Sequence, residues 1–332
     1  MSRAFHSHLV PIHSPWGYIT QIMNSFGDLI QIVIPCFNGE EFLEETLRSI
    51  KEQTYQNFDC LLIDDCSDDK SFEIIQRFTN DDTRFRVLQN SENRGESYSV
   101  NKGWVNRRGS LISILSCDDP QPSDWLEEMY KFYKWNSDKS HIVFYPNRKT
   151  IDSSGKTLKR DYLMDWNQRT INDDFICIPS VGAIIDSDRL PDDFVPRLNH
   201  VDHPSDLIQY LNISRFGEGL RHPIFFCNWR LHSQNKSSLD QTLLADRLEN
   251  GIRAYFNSIN VEMNPYQIIS LTSQCHRMKT HGLKHGWISW FYWYNEFSIN
   301  QRSSFIKANY IMIRVLLRYL LRRFYRLVNS KN

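Results

Sequence analysis

Residues 30–69 read IQIVIPCFNGEEFLEETLRSIKEQTYQNFDCLLIDDCSDD, and this stretch sets the fold class. The β-branched run at 30–34, ended by Pro35, has the composition of a strand buried on both faces. Phe42, Leu43, Thr46, Leu47 and Ile50 then recur at helical spacing. A second apolar run follows at 58–63 and ends in Asp64 and Asp65. Strand, helix and strand joined this closely make a βαβ unit, whose crossover is right-handed and whose strands are parallel.

The alternation continues outward. A helix with an acidic start is expected over 68–80, a strand at 85–90, a helix over 96–109 closed by Gly109, and a strand at 110–116. The second half is less regular. Strands are expected at 141–146, 181–186 and 223–227, with a helix over 204–216 and further helices from about 240. The last of these, around 310–328, carries arginines at 314, 318, 322 and 326 beside a broad apolar surface. Such a helix suits an anionic membrane surface, or docks on its own domain with the arginines in water.

Totals exclude several classes. With 39 basic and 39 acidic residues in 332, the chain has no overall charge to attract nucleic acid, and none is expected as a partner. The seven cysteines, at 36, 60, 66, 117, 177, 227 and 275, contain no C-x-x-C pair, so reduced cytosolic thiols are expected rather than a zinc site or disulfide framework. Residues 1–29 lack the apolar core of a secretion signal and are expected to be poorly ordered. No run of about 18 apolar residues suggests a membrane span.

In a parallel sheet, ligands bind beyond the carboxyl ends of the strands. Asp64 and Asp65 end one expected strand and Asp118 and Asp119 another, so both pairs are expected at one crevice. Carboxylates brought together repel unless a cation or hydrogen-bond donors compensate. Mg²⁺ or Mn²⁺, held by one or two carboxylates and completed by water and phosphate oxygens, answers that need. The chain has no G-x-x-x-x-G-K loop, which disfavours P-loop ATP or GTP hydrolysis.

The residues also carry a family resemblance. Pro35, Phe37 and Asn38, then Ser49, Gln53, Thr54 and Tyr55, then Asp64, Asp65, Ser67 and Asp69, form an ordered phrase that resembles the opening of the family 2 inverting glycosyltransferases. Asn93, Arg94 and Gly95 match the next phrase, and Asn101 and Gly103 a further one, read as a helix end. The resemblance implies a GT-A fold: an α/β, Rossmann-like, mostly parallel sheet flanked by helices, with a C-terminal helical extension. The implied domains are an N-terminal extension at 1–29, a GT-A glycosyltransferase domain at 30–238 and a helical extension at 239–332. It further implies binding of a nucleotide-diphospho-sugar, with Pro35, Phe37 and Asn38 at that site and Asp64 or Asp65 on the base or ribose.

The family's metal motif, usually Asp-x-Asp-Asp, here reads Ser116-Cys117-Asp118-Asp119, ahead of Pro122, Trp125 and Leu126. The resemblance assigns Asp118 to the ion and Asp119 to a supporting role at the donor. "NWRLHSQNKS" at 228–237 is similar to the family's Arg-x-His ending, which places His232 near the metal or pyrophosphate and Arg230 as positive charge there. Arg94 and Lys102 are candidates for phosphate contact. The base that takes the acceptor's proton is expected from "HVDHPSDLIQYL", as Asp202 or Asp206. Asp206 or Ser205 is also placed to cap a helix.

The activity implied is inverting, metal-dependent transfer of a sugar to a saccharide or lipid-linked acceptor, in cell-surface polysaccharide or glycolipid synthesis. The expected location is cytoplasmic, peripheral at the inner face of the membrane. The Gln-x-x-Arg-Trp phrase of processive synthases is missing, which favours single additions. Ser116 and the altered 200–206 phrase motivate an alternative, a degenerate protein that binds a nucleotide sugar without turnover. A nucleotidyltransferase ranks last, because the loop at 35–42 is neither glycine-rich nor basic.

Overall fold

The computed structural model describes residues 28–279, apart from 138–139, 167–170, 173–174, 176–180, 199–204, 234 and 236–240. The basic helix expected around 310–328 and nearly all of the N-terminal extension lie outside the described residues.

The first half alternates β1 (Ile30–Cys36), α1 (Leu43–Lys51), β2 (Phe58–Asp64), α2 (Ser71–Asp81), β3 (Phe85–Gln89), α3 (Glu96–Val105), β4 (Leu111–Ile114) and α4 (Trp125–Asn136). Then come β5 (His141–Ile151), β6 (Thr157–Asp161), β7 (Ile184–Asp186), α5 (Ser205–Ile213), β8 (Glu218–Arg230), α6 (Gln241–Ser258) and α7 (Pro265–Lys279). They build one eight-stranded sheet in the order β3-β2-β1-β4-β7-β5-β6, with β8 also paired to β5. β1 to β4 are mutually parallel, β7 runs antiparallel between β4 and β5, and β8 lies parallel to β5.

Alternation along β1 explains the two layers. Ile32 and Ile34 pack in one apolar cluster with Leu43 and Leu47 of α1, Ile74 of α2 and Leu126 and Met129 of α4. Val33 points the other way, into a cluster with Val100 and Trp104 of α3, Leu207 and Leu211 of α5 and Ile252 of α6. Where helices cover both faces a sheet has no solvent side, so the central strands are predominantly apolar.

Three local expectations are corrected. α3 stops at Val105 rather than running to Gly109. A Cβ on Gly109 would fall 2.3 Å from the carbonyl oxygen of Leu29, so that glycine serves a close approach and not a helix cap. Asn101 and Gly103 lie inside α3 rather than at its end, and a Cβ on Gly103 would fall 2.3 Å from Cγ1 of Val33. β5 does not end at Pro146 but continues to Ile151 with a register shift between Tyr145 and Asn147, where the imide lacks a ladder donor. β6 was not anticipated from TLKRD, a polar edge strand with no apolar alternation.

Candidate active site

The loops leaving β1 and β2 hold one another. Asn38 adopts φ of 51°, which asparagine tolerates, and its Oδ1 accepts the Asp68 N–H at 3.0 Å. In return the N–H groups of Asn38, Gly39 and Glu40 donate to Ser67 Oγ, Ser71 Oγ and Asp69 Oδ2 at 3.1, 2.8 and 2.9 Å. Ser67 and Asp69 are therefore braces for the strand-end loops. Phe37 stands at the rim, 47% exposed.

The first carboxylate pair divides its work. Asp65 accepts Asn90 Nδ2 and the Arg94 N–H on Oδ1, at 2.6 and 2.9 Å, and the Gly95 N–H on Oδ2 at 2.8 Å. It thus fixes the turn into α3. Asp64 is fully buried, with Oδ2 accepting Gln89 Nε2 at 2.9 Å and Oδ1 lacking a hydrogen-bond partner. The Arg94 guanidinium turns to Glu92 and the Tyr98 ring, and Lys102 Nζ to the Gln89 carbonyl and Asn90.

Beyond β4, Asp118 Oδ2 lies 2.7 Å from His232 Nε2 and accepts Asn235 Nδ2 at 3.2 Å. Asp118 Oδ1 is buried without a hydrogen-bond partner. Asp119 is buried and accepts the Arg230 N–H at 2.6 Å. Burial pushes its carboxyl well above the usual range, and the charge of Asp118 pushes it further, against the opposing pull of the Arg230 backbone N–H and charge. The charge of Asp206 raises it as well, which puts Asp206 within electrostatic reach of this loop.

Arg230, expected at the donor, is turned into the protein instead. It is fully buried, its Nε donates to the Asp118 carbonyl at 2.9 Å, and Nη1 donates to the carbonyls of Asp152 and Ser153 at 3.3 and 2.7 Å. Nη2 donates to Glu45 Oε2 at 2.6 Å, and the guanidinium sits 4.7 Å from the Phe42 ring centre. The same ring lies 4.7 Å from the His232 imidazole. Arg230 therefore acts through the loop and the ring it holds.

Of the two base candidates, Asp202 lies outside the described residues. Asp206, in the first turn of α5, accepts Arg197 Nη2 at 2.7 Å. The sequence reading missed Asn235, Glu45 and Arg197. For Asn235 the signal was its place three residues after His232, whose N–H its Oδ1 accepts at 2.5 Å.

Among the described residues no three His, Cys, Asp or Glu side chains are grouped to hold an ion. Asp118 and His232 would supply two ligands. Two such ligands fit Mg²⁺ or Mn²⁺, which keep several waters and take phosphate oxygens. Neighbouring ligands on an octahedral ion at about 2.1 Å stand about 3 Å apart, close to the separation of Asp118 Oδ2 and His232 Nε2. The orphaned Asp118 Oδ1 supports the same fit.

The chain thus has a mostly parallel sheet with paired carboxylates beyond the exits of β2 and β4. Residues 31–182 match the model of glycosyl transferase family 2. GlyG, a glycosyltransferase of Streptococcus pneumoniae, is 30% identical over 131 residues, which are 36% of this chain and 44% of that protein. The chain spans about half the length of the first curated relatives it matches. In structure it is similar to S. aureus TarS 1–349 in complex with UDP-GlcNAc, with a TM-score of 0.55 and 17% identity over 78% of this chain and 74% of that one. The mannosyltransferase PcManGT of Pyrobaculum calidifontis, in complex with GDP-Man and Mn²⁺, matches with a TM-score of 0.51 and 11% identity over 92% and 93% of the two chains. These likenesses establish the GT-A fold. Among the described residues no helix is long and apolar enough to cross a membrane.

Proposed function

We propose that the protein is an inverting, metal-dependent glycosyltransferase. It moves a sugar from a nucleotide-diphospho-sugar to a saccharide or lipid-linked acceptor in cell-surface polysaccharide or glycolipid synthesis. The observation that carries this reading is the Asp118–His232 pair at the exit of β4, with one Asp118 oxygen buried and unpartnered. The ligands of the two structural neighbours, UDP-GlcNAc and GDP-Man, support a nucleotide-diphospho-sugar donor.

Asp118 and His232 would hold the divalent cation, with Asn235 orienting Asp118 through Nδ2 and fixing the His232 backbone through Oδ1. The cation, when bound, neutralises the charge that grows on the leaving diphosphate. Asp119 supports the loop from behind through the Arg230 amide. Asp64, with its unpartnered oxygen, and the exposed Phe37 receive the donor's nucleoside end. Asp206 takes the acceptor hydroxyl's proton as the base, with Asp202 the alternative. The protein works at the cytoplasmic face of the membrane, where the basic segment 310–328 meets anionic lipid. Loss of residues 310–332 then lowers binding to anionic vesicles, and unchanged binding removes that contact.

The test is thermal stabilisation by nucleoside diphosphates and nucleotide sugars, with and without Mn²⁺, on wild type and Asp118→Ala. A ligand at about 100 times its Kd adds about 2.7 kcal/mol to the folded state. Mn²⁺-dependent stabilisation by one nucleotide class, lost in Asp118→Ala, supports the reading and names the donor class. No shift with any nucleotide removes it.

A further inference from the structure

The Arg197 guanidinium is buried, 1% exposed, in the loop ahead of α5. Its Nη2 donates to Asp206 Oδ1 at 2.7 Å, its Nη1 to Glu96 Oε1 at 2.7 Å and its Nε to Gln209 Oε1 at 3.0 Å. The backbone is pinned as firmly: the Arg197 N–H donates to Asn101 Oδ1 at 3.1 Å, and its carbonyl accepts Asn101 Nδ2 at 2.7 Å. Asn101 lies on α3, which Gly103 seats directly on β1. A continuous set of contacts thus runs from the β1 strand to the carboxylate of Asp206.

We propose that Arg197 is a positioning residue that keeps Asp206 ionised and aimed for proton abstraction. This rests on the reading of Asp206 as the base. A base must be ionised before the acceptor attacks, and a cation within hydrogen-bond distance favours the ionised form. The planar fork also fixes direction, which a point charge does not. Glu96, 33% exposed, shares the same cation and so limits how strongly it acts on Asp206. Among the described residues, Arg197 from its loop and Asp119 from the exit of β4 bear on Asp206, while Glu96 on α3 and Tyr210 on α5 bear on Arg197.

The probe reaction is hydrolysis of UDP-GlcNAc or GDP-mannose, with water as acceptor. Water attacks the anomeric carbon, the bond to the diphosphate oxygen breaks, the nucleoside diphosphate leaves with the electron pair, and Asp206 takes the proton. The pH profile of kcat/KM is measured on wild type, Arg197→Gln, Arg197→Lys, Glu96→Gln and Asp206→Asn.

Removing the cation moves the acid limb of the profile to higher pH, so Arg197→Gln loses about tenfold at the acid end and recovers as pH rises. Arg197→Lys keeps the charge and retains most of the limb's position. Glu96→Gln removes the competing carboxylate and moves the limb the opposite way, in a variant whose altered side chain is partly exposed. A purely structural role lowers all rates in parallel and leaves the limb in place, and that outcome overturns the proposal. Asp206→Asn separates the two readings, because full activity there rejects the base assignment rather than the positioning. The same order of shifts is read without turnover by carboxyl-carbon NMR titration of Asp206, with Asp206→Asn giving the assignment, and an unmoved titration in both Arg197→Gln and Glu96→Gln is equally fatal.

Discussion

His232 Nε2 lies 2.7 Å from Asp118 Oδ2, a contact that closes 114 residues of chain between the exit of β4 and the end of β8. Two side chains from distant strands meet where neither is needed to fill a core. Truncating either one to alanine is expected to weaken Mn²⁺ binding by at least about 10–100-fold, the range seen even when only a supporting partner is lost. Asn235→Ala is expected to cause a smaller loss, because Asn235 orients Asp118 and fixes the His232 backbone without replacing either ligand. Titration of free Mn²⁺ by electron paramagnetic resonance measures all three, and affinities within twofold of wild type would show that the ion binds elsewhere.

Arg230 is predicted to matter for stability before it matters for turnover. Its replacement by methionine leaves Glu45 unpaired and strands the carbonyls of Asp118 and Ser153, while that of Asp152 keeps the Gly155 N–H. Breaking a buried pair typically costs about 3–5 kcal/mol; Glu45 is 55% exposed, so about 2–3 kcal/mol is expected here. Arg230→Lys is not expected to restore it, since one ammonium cannot serve four directions at once. Urea denaturation reads both variants, and a lysine variant as stable as wild type would refute the fork as the stabilising feature.

The parallel half of the fold was legible because its physics is local. Runs such as 30–36 and 58–64 are predominantly apolar, with Gln31 and Asp59 the interior exceptions, since helices cover both faces of the sheet. The strand-end position of all four carboxylates follows from the same pattern. What sequence did not reveal depends on contacts between distant segments. Nothing in "NWR" distinguishes an arginine that faces a ligand from one sealed under Phe42 and Glu45, and nothing around Arg197 announces its bond to Asn101. β6 escaped because an edge strand is stabilised by the ladder to β5 and not by its own side chains. Asp65 was readable as functional, but only the fold shows that its oxygens hold the turn at Arg94 and Gly95 while Asp64 keeps an oxygen unpartnered.

Gly103→Ala tests the seating of α3 on β1. Alanine is the better helix former by about 1 kcal/mol, so propensity alone predicts a gain. The new Cβ would fall 2.3 Å from Val33 Cγ1, however, and overpacking of this kind costs about 1–3 kcal/mol. A net loss is expected. Val33→Ala in the same chain removes the obstructing methyl, so the double variant is predicted to be more stable than the sum of the two single changes. Additive behaviour in a double-mutant cycle would mean that helix and strand do not meet here.

Asp69 supplies the pH dependence of the strand-end loops. Burial raises its carboxyl, but the Ser71 hydroxyl and the amides of Glu40 and Ser71 outweigh that and hold it below its ordinary value. A depressed carboxylate stabilises the fold fully above its unfolded pKa of about 3.9 and loses that contribution as pH falls toward the folded value. The brace between the β1 and β2 exits is therefore expected to weaken below about pH 4. Asp69→Asn keeps one acceptor oxygen but has no proton to take up in this range. Its stability is predicted to be lower than wild type near neutrality and to fall less steeply in acid. Melting temperatures measured from pH 3 to pH 7 decide the matter. Parallel curves for the two proteins would show that Asp69 does not carry this linkage and that another carboxylate sets the acid limb.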